Sequence, residues 1–207
     1  TAYATIVFNQ YLYVGTNQGL FYRRHNADEP LKPIAGLEGQ VWSLNRIEDK
    51  LFCGHDRGAF LVTENKAKQL YAKSGIWTFK QINDQLLIAG AYDGLHIFSK
   101  KSNTWTYQNH LKDFSISSRY FEILDDTELL VSHEYKGIYK LTMDEAKTAI
   151  VSVKQFPDVP KSTYSSLRLF EDDIYYFSKA GFFRYDNTQN KLIKNDSISQ
   201  LFNEDNF

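Results

Sequence analysis

Eight residues of the 207-residue chain combine side-chain type and position in a way that suits holding a polar ring: Trp42, His55, Arg57, Trp77, Tyr92, Asp93, His133 and Glu134. A flat aromatic accepts the apolar face of a sugar, while carboxylate and guanidinium groups take its hydroxyls. A few polar groups in a mostly apolar recess then fix orientation. Arg57, Tyr92, Asp93, Glu134 and Trp77 supply that mixture. The same stretches admit a catalytic reading, because Asp56, Asp93 and Glu134 fall in three successive short turns. Glycosidases need two carboxyls about 5 to 10 Å apart, one serving as acid and the other as base or nucleophile. Each of these acids, however, stands on or beside a turn glycine, where acidic residues are expected anyway, and none belongs to a catalytic string. Binding without catalysis is therefore the expectation, and no catalytic residue is assigned.

Other chemistries are thinner. The histidines, His25, His55, His96, His110 and His133, show no metal-ligand spacing, so no metal and no cofactor are expected. His55 and His133 do share a turn position two repeats apart. Neither a glycine-rich phosphate loop nor a Gly-x-Ser-x-Gly string is present. The single cysteine, Cys53, lies in an apolar run where a thiol serves as a small hydrophobe.

The elements that must carry these residues are set by an internal repeat. Five apolar runs each pass through a short polar turn to a glycine and a second apolar run. They begin at Tyr11, Leu51, Leu86, Leu129 and Ile174, and the glycines are Gly19, Gly58, Gly94, Gly137 and Gly181. An aromatic stands 16 or 17 residues before each glycine: Tyr3, Trp42, Trp77, Tyr120 and Tyr164. Each unit reads as strand A from the aromatic, strand B into the turn, strand C after the glycine, and a loosely patterned strand D. The glycine accepts the positive φ that a tight B–C hairpin requires. Met143 to Thr148 is the best helical stretch and reads as a C–D loop. A four-stranded unit buries both faces only when stacked on its neighbours, so the expected fold is an all-β propeller. Its five blades run approximately 1–39, 40–75, 76–117, 118–160 and 161–207, as part of a longer array. An open array leaves two blade faces uncovered, which predicts homodimerisation. Because Trp42, Trp77 and the tyrosines recur in every blade, packing between blades is their first reading and a ligand platform their second.

Composition narrows the partners. The formal charge of −1 lacks the basic excess that phosphate binding needs, so no direct nucleic-acid partner is expected. No apolar run approaches the roughly 20 residues of a membrane span, and the first residues read as a strand rather than a secretory signal.

The run Tyr11-Leu-Tyr-Val-Gly-Thr-Asn-Gln-Gly-Leu-Phe-Tyr-Arg, and after it Leu86-Leu-Ile-Ala-Gly-Ala-Tyr-Asp-Gly-Leu-His-Ile-Phe, resembles the two-component regulator propeller repeat. Val41-Trp42-Ser and Ile76-Trp77-Thr resemble that family's strand A. Blade four departs with Ser132-His133 in place of Gly-Thr, and blade five with Phe177-Ser178. The resemblance implies a periplasmic sensor segment of a bacterial signal-transduction regulator, its blades part of a larger, seven-bladed array, with a small molecule or oligosaccharide as ligand. The alternatives are a self-contained propeller holding a protein partner and, behind it, a five-bladed glycosidase.

Overall fold

The computed structural model describes residues 1–200 and contains twenty strands and one short helix. Blade one comprises β1 (Ala2–Phe8), β2 (Tyr11–Thr16), β3 (Gly19–Arg24) and β4 (Lys32–Glu38). Blade two comprises β5 (Val41–Ile47), β6 (Lys50–His55), β7 (Gly58–Thr63) and β8 (Lys66–Tyr71). Blade three comprises β9 (Ile76–Asn83), β10 (Leu86–Ala91), β11 (Gly94–Lys101) and β12 (Thr104–His110). Blade four comprises β13 (Tyr120–Ile123), β14 (Glu128–His133), β15 (Gly137–Met143) and β16 (Ile150–Gln155). Blade five comprises β17 (Ser166–Phe170), β18 (Asp173–Ser178), β19 (Gly181–Asp186) and β20 (Lys191–Lys194), and helix α1 (Asp196–Ser199) follows it. Every sheet is an up-and-down meander in chain order. Two compact units divide the chain between Asn109 and His110, the first carrying blades one to three and the second blades four and five.

All five repeat glycines open strand C, and each has positive φ. Gly58 shows why no other residue fits. Its φ is +123°, and a Cβ there would collide with the Tyr71 carbonyl oxygen of β8. Four of the other hairpins reach left-handed geometry without glycine. Asn9 and Gln10, Glu64 and Asn65, Ser102 and Asn103, and Glu171 and Asp172 all have positive φ, as a two-residue type I′ loop demands. Met143 to Thr148 forms no helix: the Asp144 carboxylate accepts the Thr148 and Ala149 amide protons and closes a tight loop. Helix α1, capped by Asn195 Oδ1 accepting the Ile198 N–H at 3.1 Å, has no counterpart in the expected pattern.

Strand B of blade two feeds two cores, so it is buried on both faces instead of alternating. In β6, Leu51 and Cys53 pack toward blade one with Tyr13, Leu20, Leu37 and Val41. Phe52 points the other way and joins Phe79, Leu87, Phe98 and Trp105 of blade three. Burial pushes the Cys53 thiol far above its ordinary value, which keeps it an inert apolar group. In the second unit, Leu130 and Ile138 of blade four meet Leu167, Ile174, Tyr176, Phe183 and Tyr185 of blade five. Polar ties cross these interfaces. Tyr13 Oη donates to Asn65 Oδ1 at 2.8 Å, Lys100 Nζ reaches both Glu48 carboxylate oxygens, and Lys154 Nζ donates to the Asn190 carbonyl.

Candidate ligand-binding site

Strands A of the first unit, β1, β5 and β9, pack side by side, and their leading aromatics meet in a continuous row. The Tyr3 and Trp42 rings are 5.3 Å apart, Trp42 and Trp77 4.9 Å, and Trp77 and Tyr92 4.7 Å. Tyr92 enters from the B–C turn of blade three, where its hydroxyl accepts the Trp42 Nε1–H at 2.8 Å. The row is not core. Tyr3 is 46% exposed and Tyr92 38%, and both tryptophans are half-buried. Offset, tilted contacts of this kind contribute about 0.5–1.5 kcal/mol each, and the end rings Tyr3 and Tyr92 stay partly open to solvent. The packing role expected of the aromatics is thus seen along strands A of the first unit. Two features hold Tyr92 in place. Its N–H donates to the Gly75 carbonyl at 3.0 Å, and a Cβ on Gly75 would sit 2.5 Å from the Tyr92 ring.

Asp93 follows Tyr92, with its carboxylate half-exposed and Oδ1 2.9 Å from Nε2 of the fully buried His96. Burial pushes the carboxyl upward, but hydrogen bonds from His96 and Ser74 outweigh it and hold Asp93 below the usual carboxylate range. The His96 Nδ1 lies 3.4 Å from the Tyr107 hydroxyl, and the Tyr71 ring covers the imidazole at 4.7 Å. Desolvation raises the Tyr71 hydroxyl to about 12, so it stays protonated. An anionic carboxylate thus stands at one end of the aromatic row, braced from behind by an imidazole. Spacing missed the Asp93–His96 partnership, because a hairpin rather than a helix brings the two together.

The remaining expected residues are placed differently. His55 is fully buried and cannot touch a ligand in this structure. Its Nδ1 accepts the Arg57 N–H at 3.0 Å and lies 2.5 Å from Asp56 Oδ1, while its ring packs edge-on against Phe60. Burial lowers its pKa, which outweighs the attraction of Asp56. Arg57 is half-exposed, but its guanidinium donates to the Gly36 carbonyl at 3.0 Å and lies 3.6 Å from Glu38, tying blade two to strand D of blade one. His133 and Glu134 belong to the second unit. His133 Nδ1 accepts the Tyr135 N–H at 3.2 Å, and Glu134 lines an open cleft beside Arg119 and Tyr164.

His55 and His133 thus do one structural job. Both end strand B and cap the turn amide two residues on, as Thr16 Oγ1 does for Gln18 at 3.0 Å and Ser178 Oγ for Ala180 at 3.2 Å. The departures from Gly-Thr in blades four and five keep this acceptor. Of the turn carboxylates, Asp93 is engaged by His96, and Asp56 lies against the His55 ring.

No protein-family model matches the sequence, and no curated protein matches it either. Solved structures do. The chain is similar to the WD40 β-propeller domain of Doa1, with a TM-score of 0.64 at 12% identity over 94% of this chain and 69% of that one. It is also similar to the extracellular domain of the hybrid two-component system BT4673 from B. thetaiotaomicron, with a TM-score of 0.62 at 15% identity over 93% of this chain. It spans about a quarter of that domain, 27% of its length. A third neighbour, described as a 6-phosphogluconolactonase from Bacteroides fragilis, has a TM-score of 0.61 at 10% identity over 93% of this chain and 68% of that one. Five four-stranded antiparallel sheets with these neighbours make the chain a β-propeller.

Proposed function

We propose that the chain is a non-catalytic, ligand-sensing propeller segment of a bacterial signal-transduction regulator, working in the periplasm, and that the aromatic row of the first unit stacks against an oligosaccharide. The observation that carries this reading is the partly exposed sequence of rings Tyr3, Trp42, Trp77 and Tyr92, ending at the braced carboxylate of Asp93. Such a row offers apolar ring faces at successive steps, and Asp93 accepts hydroxyl protons at its end. Likeness of fold to an extracellular two-component domain supports the compartment. Exposed Leu169 and Phe170 of β17 support self-association of the segment.

Titration calorimetry against a panel of neutral oligosaccharides tests the site. At least one should bind with an unchanged glycan recovered afterwards, and Trp77→Ala should weaken it roughly tenfold or more, the loss expected of a central aromatic anchor. Binding that survives Trp77→Ala and Tyr92→Ala together would remove the row from the site. Hydrolysis of the glycan that disappears in Asp93→Asn would replace sensing by catalysis.

A further inference from the structure

Blade three gathers a different chemistry where β11 begins. Asp93 stands in the β10–β11 turn, His96 lies on β11, and His110 is the last residue of β12, the neighbour of β11 in the same sheet. One ligand atom from each of the three lies within 4.8 Å of the other two. Among the described residues no other three histidine, cysteine or acidic side chains converge in this way. His96 is fully buried, His110 half-buried and Asp93 half-exposed, so the group has a fixed inner member and an open mouth. All three make further interactions within the protein, and none is a loose surface group. A hairpin and a neighbouring strand bring them together, which is why no spacing of histidines in the sequence announces them.

We propose that Asp93, His96 and His110 bind one divalent transition-metal ion, zinc foremost, with water completing its shell. The donor set selects the ion. Two imidazole nitrogens and one carboxylate oxygen suit zinc and its neighbours, whereas calcium and magnesium take shells of oxygen. Three protein ligands with a fourth position left to water is a recurring zinc arrangement, and zinc imposes no geometry of its own. Ligands held about 2.0–2.2 Å from zinc sit closer together than the 4.8 Å seen here, so the ion draws His110 and Asp93 towards the fixed His96. Outer contacts for such a site are already in place. The His96 Nε2 lies 2.9 Å from Asp93 Oδ1, and its Nδ1 lies 3.4 Å from the Tyr107 hydroxyl. Zinc takes Nε2. The proton that Nε2 donates to Asp93 in the metal-free chain passes to solvent, and Nδ1 takes one up and donates it to the Tyr107 oxygen. A partner on the second nitrogen fixes the tautomer and direction of a metal-bound imidazole. A hydrogen bond from Ser74 orients Asp93 in the same manner. Asp93 also ends the aromatic row, but metal uptake is measured without any glycan, so its outcome is independent of the row's.

The test uses the whole chain, stripped with a chelator and titrated with zinc by calorimetry. Zinc should bind saturably at one ion per chain and raise the melting temperature, as a ligand of the folded state does. Calcium and magnesium at the same concentration should do neither. In the native chain, zinc should shift the imidazole NMR signals of His96 and His110 and leave those of His25 and His133 in place, a readout that needs no substitution. Tyr107→Phe, which keeps the ring and removes only the outer hydroxyl, should weaken zinc roughly tenfold. His110→Ala and Asp93→Asn should each weaken it further than that. Absence of saturable uptake would overturn the proposal. So would zinc binding that survives both His110→Ala and Asp93→Asn, zinc-induced shifts confined to other histidines, or calcium bound as tightly as zinc.

Discussion

His55 and Asp93 stand in equivalent hairpins and answer the same physical problem in opposite ways. Asp93 keeps its charge, because the buried imidazole behind it compensates for lost solvent. His55 gives its charge up, because it is the buried member of its own pair. Asp56 favours the protonated imidazole while Arg57 opposes it, and desolvation dominates both. A histidine whose pKa is lower in the folded than in the unfolded chain binds fewer protons when folded, so stability rises with pH. The contribution is complete above the unfolded value of about 6.5 and is lost as pH falls through the lower folded value. The melting temperature should therefore drop from pH 7 to pH 5 more steeply in the native protein than in His55→Asn. The asparagine amide oxygen can still accept the Arg57 N–H but does not titrate. Parallel pH profiles for the two proteins would show that His55 is not the titrating group.

At the scale of the element, the second glycine column explains how closely blades approach. A Cβ on Gly15 would lie 2.5 Å from Val41 Cγ1 of β5, and one on Gly54 would lie 2.6 Å from Ser43 Oγ and 2.8 Å from the Ile76 carbonyl of β9. These glycines are notches in strand B that admit strand A of the following blade. Gly54→Val should cost about 1–3 kcal/mol from overpacking. In a chain of this size that lowers the melting temperature by several degrees, and a thermal melt followed by circular dichroism reads it directly. Blade five carries Phe177 at the equivalent place, 4.4 Å from Phe182, so its strand B offers no such notch. Much of this was legible in the sequence, because the B–C turn and strand A both rest on single-residue demands. Positive φ selects glycine, and a large interface beside each strand selects an aromatic. The type I′ loops were not legible, since Asn9-Gln10 and Glu171-Asp172 carry no glycine and adopt left-handed geometry through the twist of the flanking strands. Nor was the cleft of the second unit. Arg119 lies far in sequence from Ser165 and Arg168 and shares no motif with them, and only the packing of blades four and five brings them together.

For the molecule as a whole, the chain is a series of near-identical sheets whose cores are shared, so each blade's stability is inseparable from its neighbours within the same unit. Faces left open are then a liability, and Leu169 and Phe170 of β17 stand 55% and 62% exposed. Sedimentation velocity should show concentration-dependent association that Phe170→Lys reduces without altering the circular dichroism spectrum. A monomer at every concentration would remove self-association from the functional reading. The strand B ends have a consequence of another kind. Thr16, His55, His133 and Ser178 count as mismatches when repeats are compared letter by letter, yet each supplies a lone pair at one point in space. Mutation can wander freely among hydroxyl and imidazole while the backbone stays still. Shape in such a protein outlives spelling, and kinship between its blades is better traced through acceptor atoms than through residue identities.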